Sequence, residues 1–171
     1  MEKPRPVGVL ALAVLHFGGG LLLVILQVIF ASSPRAFSDD SVFPILIVLG
    51  FGSLGCLGVA SGIGMWLGTR WGWWCGLFYY VYGVARNANA FALTTSLAEG
   101  LEEASRGPGY YYARYGGRVV VHLLIGLYFF KDNVRKYFNV EGVHAGKAVG
   151  LLAAITALIF AASTAVAWMA Q

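Results

Sequence analysis

The sequence predicts an all-α, polytopic integral membrane bundle of about five transmembrane helices, and three observations predict it. Hydrophobic residues make up 58% of the chain and charged residues 12%, about half the charged share of a soluble domain. The apolar residues fall in five long runs separated by short polar stretches. Every Asp and Glu lies in a loop or terminus. A chain of 171 residues with mean hydropathy +0.71 has no length left for a second sizeable domain once its spans are counted. A single transmembrane domain over residues 1–171 is expected.

The first run, residues 7–30, gives about 36 Å of helix, enough for a hydrocarbon core of about 30 Å. It follows Lys3 and Arg5, as a signal peptide would, but a signal core is only about 7–15 residues long. A retained first span is expected. A polar loop, Ala31 to Ser41, leads to the second run, 43–68. There Gly52, Cys56, Ala60, Gly64 and Gly68 recur at four-residue intervals. One small residue per turn on one stripe is a helix-packing signal, because it lets another backbone approach closely. Gly58 and Gly62 make a neighbouring pair.

Thr69 and Arg70 make a tight turn, and Trp71, Trp73 and Trp74 mark a membrane–water boundary. The third run is 71–97. A rival reading ends this helix at Ala85 and lays Arg86 to Ser105 along the interface. A polar segment with Glu99, Glu102, Glu103 and Arg106 ends at Gly107-Pro108-Gly109. The fourth run, 110–131, opens with an interfacial belt of Tyr110, Tyr111, Tyr112 and Tyr115, and Lys131 to Lys136 forms a hydrophilic exit. The fifth run is 143–169.

Orientation follows from the basic residues. With the N-terminus inside, Lys3, Arg5, Arg70, Lys131, Arg135, Lys136 and Lys147 lie inside, against Arg35, Arg106, Arg114 and Arg118 outside. The bias favours N-in, C-out. The apolar opening after Arg5-Pro6 and the Trp-rich turn resemble small bacterial membrane proteins. That resemblance implies an inner-membrane location and no residue's role.

Arg86 is the most conspicuous residue. A charge inside a span is costly, and such residues usually face a bundle interior or a wet cavity. Tyr79, Tyr82, Arg86 and Asn89 follow an i, i+3, i+7, i+10 pattern and form one polar stripe, with Asn87 one step round. Arg86 then serves either as a lock between helices or as a site for an anion, a propionate or a lipid headgroup. His16 and His122 lie at matched depth on antiparallel helices, each about 13 Å from the inner boundary. Gly20 and Gly126 follow them by four residues. This geometry suits a pair of axial ligands to a haem or chlorophyll-type tetrapyrrole. It suits equally two neutral histidines bonded between helices, or a proton relay. Gln27 is expected to bond a neighbouring helix, and His144 to be solvated.

Other chemistries find no support. The two cysteines, Cys56 and Cys75, stand alone, with no metal-type spacing. No nucleophile–base set, phosphate-binding loop or zinc-protease motif is present, so no catalytic residue and no metal ligand is expected, and no enzyme. The basic stretch at 131–136 is too short to indicate a nucleic-acid partner. Expected partners are membrane lipids and other membrane subunits or a second copy. The leading expectation is a non-catalytic accessory, assembly or scaffold subunit of a membrane complex. The alternatives are a tetrapyrrole- or anion-binding subunit using His16, His122 and Arg86, and an oligomeric solute or proton pathway.

Overall fold

The computed structural model describes residues 5–33, 43–96 and 107–169. All the regular structure in them is helical: α1 (Val7–Ala31), α2 (Phe43–Leu67), α3 (Arg70–Ser96), α4 (Pro108–Tyr128), the short α5 (Asp132–Tyr137) and α6 (Ala145–Met169). The long helices begin and end within three residues of the apolar runs. Most of the expected 31–41 loop and the polar segment from Glu99 to Arg106 lie outside the described residues. α3 is continuous past Arg86 to Ser96, which removes the reading that ends this helix at Ala85.

Among the described residues, three helices are long and apolar enough to cross a membrane: Val7–Ala31, the Gly50–Leu67 portion of α2 and Ala145–Val166. That is fewer than the five expected. α3 and α4 have the length, about 40 Å and about 31 Å, but their composition is less apolar. Arg86, Asn87 and Asn89 interrupt α3, and α4 carries five tyrosines with Arg114 and Arg118.

α1 and α2 pack antiparallel with their backbones in contact. A Cβ on Gly20 would lie 2.5 Å from the Val59 nitrogen, and one on Gly62 would lie 2.6 Å from the Phe17 nitrogen. Gly58 meets Gly20 from the other side. α2 then turns back into α3 so tightly that Gly64 and Gly72 touch backbone to backbone. The turn is a Schellman motif. Gly68 takes the left-handed conformation (φ +64°), its N–H bonds Met65 O (3.3 Å) and the Thr69 N–H bonds Gly64 O (3.1 Å), so two terminal carbonyls of α2 are satisfied.

The expected small-residue stripe is therefore distributed differently. Gly64 packs, but against α3. Gly68 is a helix stop. Cys56 is exposed, and a Cβ on Gly52 would meet nothing within 4 Å. The seam with α1 runs instead through Gly55, Gly58 and Gly62, the last two being the neighbouring pair. Spacing identifies a face but does not say which helix lies against it.

α3 is central: it packs on α2 and α4 and, over a smaller area, on α6. The buried core gathers at the end of the bundle where the α2–α3 turn meets α5. Trp73, Met65, Phe129, Val134, Phe138 and Val140 are fully buried there. Two expectations are corrected at this end. Trp73 is core and not boundary, its Nε1 donating to Phe129 O (3.0 Å). The Lys131–Lys136 stretch is not merely a hydrophilic exit: with Phe138 it forms an amphipathic element that closes the bundle, since Val134, Tyr137 and Phe138 share one face at i, i+3 and i+4. Tyr137 Oη donates to the carbonyls of Met65 (3.1 Å) and Trp66 (2.9 Å), capping the last turn of α2. Arg135 donates to the carbonyls of Val143 (2.8 Å) and Glu141. Arg70 Nε donates to the carbonyl of Asn139 (2.9 Å). Both cysteines are free.

Two outcomes are expected. Gly62→Leu overfills the α1–α2 seam and lowers stability by about 1–3 kcal/mol or more, whereas Gly18→Leu enters open space and leaves the unfolding midpoint in detergent nearly unchanged. Equal midpoints for the two would contradict the seam. Burial raises the Tyr137 phenol above its ordinary range, with Arg5 opposing part of the rise. The folded protein then holds this proton when the unfolded chain has released it. Its contribution is complete below pH about 10 and declines as pH rises beyond that. Tyr137→Phe should remove that part of the alkaline loss and, at neutral pH, cost about 1 kcal/mol for the lost hydrogen bonds, both measurable by denaturation across pH.

Candidate functional site

The inward face of α3 is set by a heptad: Trp73, Tyr80, Asn87 and Thr94 follow one another at seven-residue intervals and all are buried. Gly76 and Gly83 lie between them on the same face. Tyr80 is the centre of the site. Its Oη is joined to His16 Nε2 of α1 by a buried hydrogen bond of 2.7 Å. Its ring lies 5.2 Å from the His16 ring, 5.8 Å from the His122 ring of α4 and 5.7 Å from Phe129. Tyr79 adds a contact to His16 at 4.5 Å.

His122 Nδ1 donates to Arg118 O at 2.6 Å. A carbonyl only accepts, so Nδ1 carries a proton, and in the neutral ring Nε2 is the acceptor. Gly83 gives the ring its place: a Cβ there would lie 2.6 Å from Nε2.

The two histidines are thus brought to one level, on either side of Tyr80. The space between the imidazoles holds this phenol. His16 Nε2 is engaged by it, and His16 Nδ1 is buried. Gly20 is covered by α2. Gly126 borders a cavity of about 170 Å³ beside His122, below the roughly 300–1,000 Å³ of cofactor-sized pockets. These residues do not fit a tetrapyrrole ligated by both histidines.

Arg86 stands apart from this cluster. It is half-buried and has no hydrogen bond or ion pair among the described residues. Six residues on from Tyr80, it sits about 120° round the helix. The stripe drawn through Arg86 fans out over several neighbours. Tyr79 meets His16, while Tyr82 lies near Phe78 and near Phe160 of α6, at 5.8 Å from the latter. Asn87 is buried, its Nδ2 donating to Gly83 O (2.7 Å). Asn89 borders a cleft of about 590 Å³ between α3, α4 and α6.

Sequence reasoning missed Tyr80, although the seven-residue heptad carries the signal. It also missed Thr156, whose buried hydroxyl has no hydrogen-bond partner; the Ser61 hydroxyl, His16 Nδ1 and Gln27 Oε1 are likewise buried without one. Gln27 was expected to bond a neighbouring helix. No group of three or more His, Cys, Asp or Glu able to hold a metal ion occurs among the described residues. The cluster joins α1 to α3 by a directional polar contact in apolar surroundings and α3 to α4 by the contact of the Tyr80 and His122 rings, which together limit the rotation of the three helices about one another.

No protein-family model matches the chain, nor does any curated protein or solved structure.

Tyr80→Phe strands His16 Nε2 and should cost about 1–3 kcal/mol, whereas the Tyr80→Phe, His16→Phe double variant should recover part of that loss, because replacing both partners removes the unsatisfied group. Thermal unfolding of the three proteins in one detergent measures this. Additive losses would show that the bond contributes nothing.

Proposed function

We propose that the chain is a multi-pass membrane protein of five spans, N-in and C-out, that serves as a non-catalytic accessory, assembly or scaffold subunit and associates laterally through α6. One observation carries the reading. α6 seats Ala148, Leu152 and Thr156 against the bundle. At 100° per residue, Gly150, Ala154, Ala161 and Ala165 fall on the opposite side, and all four are exposed. A helix apolar enough to span, presenting a small-residue face away from its own bundle, suits close approach by a second membrane helix. A bacterial inner-membrane location belongs to the same reading.

The span count rests on where α3 and α4 put their polarity. Tyr80, Asn87 and Thr94 are turned inward and hydrogen-bonded, so a bilayer would meet less of the polarity that the composition of α3 suggests. The orientation rests on the basic residues at the closed end. There Arg5 lies over Trp66, Arg70 bonds Asn139 and Arg135 bonds Val143, as the positive-inside bias expects.

Ala154→Leu and Gly150→Leu test the association. A Cβ at Gly150 meets nothing within 4 Å, so a larger side chain there spares the fold. The expected result is that cross-linking in native membranes gives a product larger than the monomer, and that either variant loses it while keeping the wild-type unfolding midpoint. A wild-type chain that stays monomeric in its membrane would overturn the reading.

A further inference from the structure

The cleft between α3, α4 and α6 has the features of a ligand site, on a different face of α6 from the one that would carry lateral association. Val81 and Asn89 of α3, Leu123 of α4, and Ala153, Thr156 and Phe160 of α6 border its volume of about 590 Å³. It shares Val81, Val84, Leu123 and Val149 with the smaller cavity beside His122. Together they follow α3 from Leu77 to Asn89, a rise of about 18 Å.

Its chemistry is specific in three respects. No charged side chain borders either cavity, so a phosphate or ammonium headgroup placed there would be uncompensated. Most of the wall is aliphatic, so the bulk of any occupant is apolar. The exceptions are few. Thr156 is 97% buried, with 3% of its surface exposed, and its Oγ1 has no hydrogen-bond partner. The Asn89 amide can donate and accept. His122 Nε2 accepts in the neutral ring. A buried hydroxyl without a partner is costly. The serine and threonine hydroxyls nearer the end of α6, Ser163 and Thr164, bond back to the carbonyl four residues earlier, whereas Thr156 does not.

Access is lateral. Among the described side chains of α6, Ala148, Leu152 and Thr156 are buried against the bundle, and towards its C-terminal end Phe160 is half-buried. A molecule dissolved in the bilayer reaches the cleft between α6 and α3 without passing through water.

We propose that the cleft binds a neutral, lipid-soluble, elongated molecule carrying a hydrogen-bonding oxygen, of the isoprenoid-quinone or acylglycerol class, with its oxygen at Thr156 and Asn89 and its apolar chain along α3 towards His122. The ligand supplies the partner that the Thr156 hydroxyl lacks and fills the gap between α3 and α6.

The test uses the full chain in phosphatidylcholine nanodiscs and a diazirine-bearing long-chain alcohol as probe. Saturable photolabelling of α3 and α6 residues around the cleft is expected, displaced by hexadecanol and not by hexadecane. Thr156→Val keeps the side-chain shape and should weaken probe binding by about fivefold, the worth of one hydrogen bond. Ala153→Phe fills the cleft and should abolish labelling; unfolding midpoints of both variants are compared with wild type, and if Ala153→Phe fails to fold, Thr156→Val decides. Labelling that does not saturate, equal displacement by hexadecane, or wild-type binding by Thr156→Val would each overturn the proposal, the second by showing a bare acyl-chain surface. Solvent extraction of chain purified from its membranes separates the two sources: a quinone absorbance names one, an acylglycerol mass the other.

Discussion

Backbone contact between glycines sets the distances on which the rest of the bundle depends. Within a bilayer, lipid tails compete equally for apolar side chains, so helices associate only where they fit closely or bond directly. α1 and α2 fit closely along Gly20, Gly55, Gly58 and Gly62, and α2 and α3 do so at Gly64 and Gly72. These two contacts bring α1 against α3 near enough for His16 to reach Tyr80 at 2.7 Å. A side chain larger than hydrogen at Gly62 would part the first pair and carry His16 away from its partner. The polar lock is a consequence of the small residues, and its short bond is possible only because they are small.

The closed end works on a different principle. There the bundle buries large aromatic side chains in the manner of a soluble core, with Trp73, Phe129 and Phe138 sealed and Phe129 stacked against Phe138 (interplanar angle 8°). Chain leaving α2 and α4 must satisfy terminal carbonyls without continuing helix. Gly68 does this by its left-handed turn and Tyr137 by donating to two carbonyls at once. Asn139, the one described non-glycine residue with positive φ (55°), ends α5 in the same way, with the N–H groups of Asn139 and Val140 bonding Lys136 O and Arg135 O. This end is fixed by directional bonds, whereas towards the opposite end of α6, among the described residues, Phe160 meets Tyr82 by a ring contact.

How much of this was legible in the sequence depends on the kind of signal. Helix positions followed from apolar runs, because an uninterrupted run of that length has few other uses. The matched depth of His16 and His122 was legible from distances along two helices. What lies between them was not, since a tyrosine among Phe78, Tyr79 and Tyr82 reads as one more aromatic until the heptad with Trp73, Asn87 and Thr94 is drawn. The glycine stripe misled for the opposite reason. Gly52, Cys56, Ala60, Gly64 and Gly68 satisfy the four-residue rule, yet they fall to open space, to α3 and to a turn. Residue spacing gives faces; which neighbour a face meets is decided by turns such as Gly68-Thr69, whose geometry reorients everything after it. Arg86 drew attention by its charge, but charge alone did not bring it into the site.

α6 is where the bundle is least complete. A helix of 25 residues that, among its described side chains, buries Ala148, Leu152 and Thr156 against its own bundle keeps two further faces available, one bordering the cleft with Ala153 and Phe160 and one carrying Gly150, Ala154 and Ala161. The two are coupled through the helix itself. Filling the cleft would fix the distance and rotation of α6 relative to α3, and the outward face would then be presented at one angle. A partner helix on that outward face would in turn narrow the lateral opening through which the proposed ligand would enter. Linkage requires that such an effect be mutual: if a ligand in the cleft favours association, association favours retention of the ligand by the same factor. A loosely seated last helix therefore suits a subunit whose assembly and occupancy are read together, in a way that a helix packed all round could not.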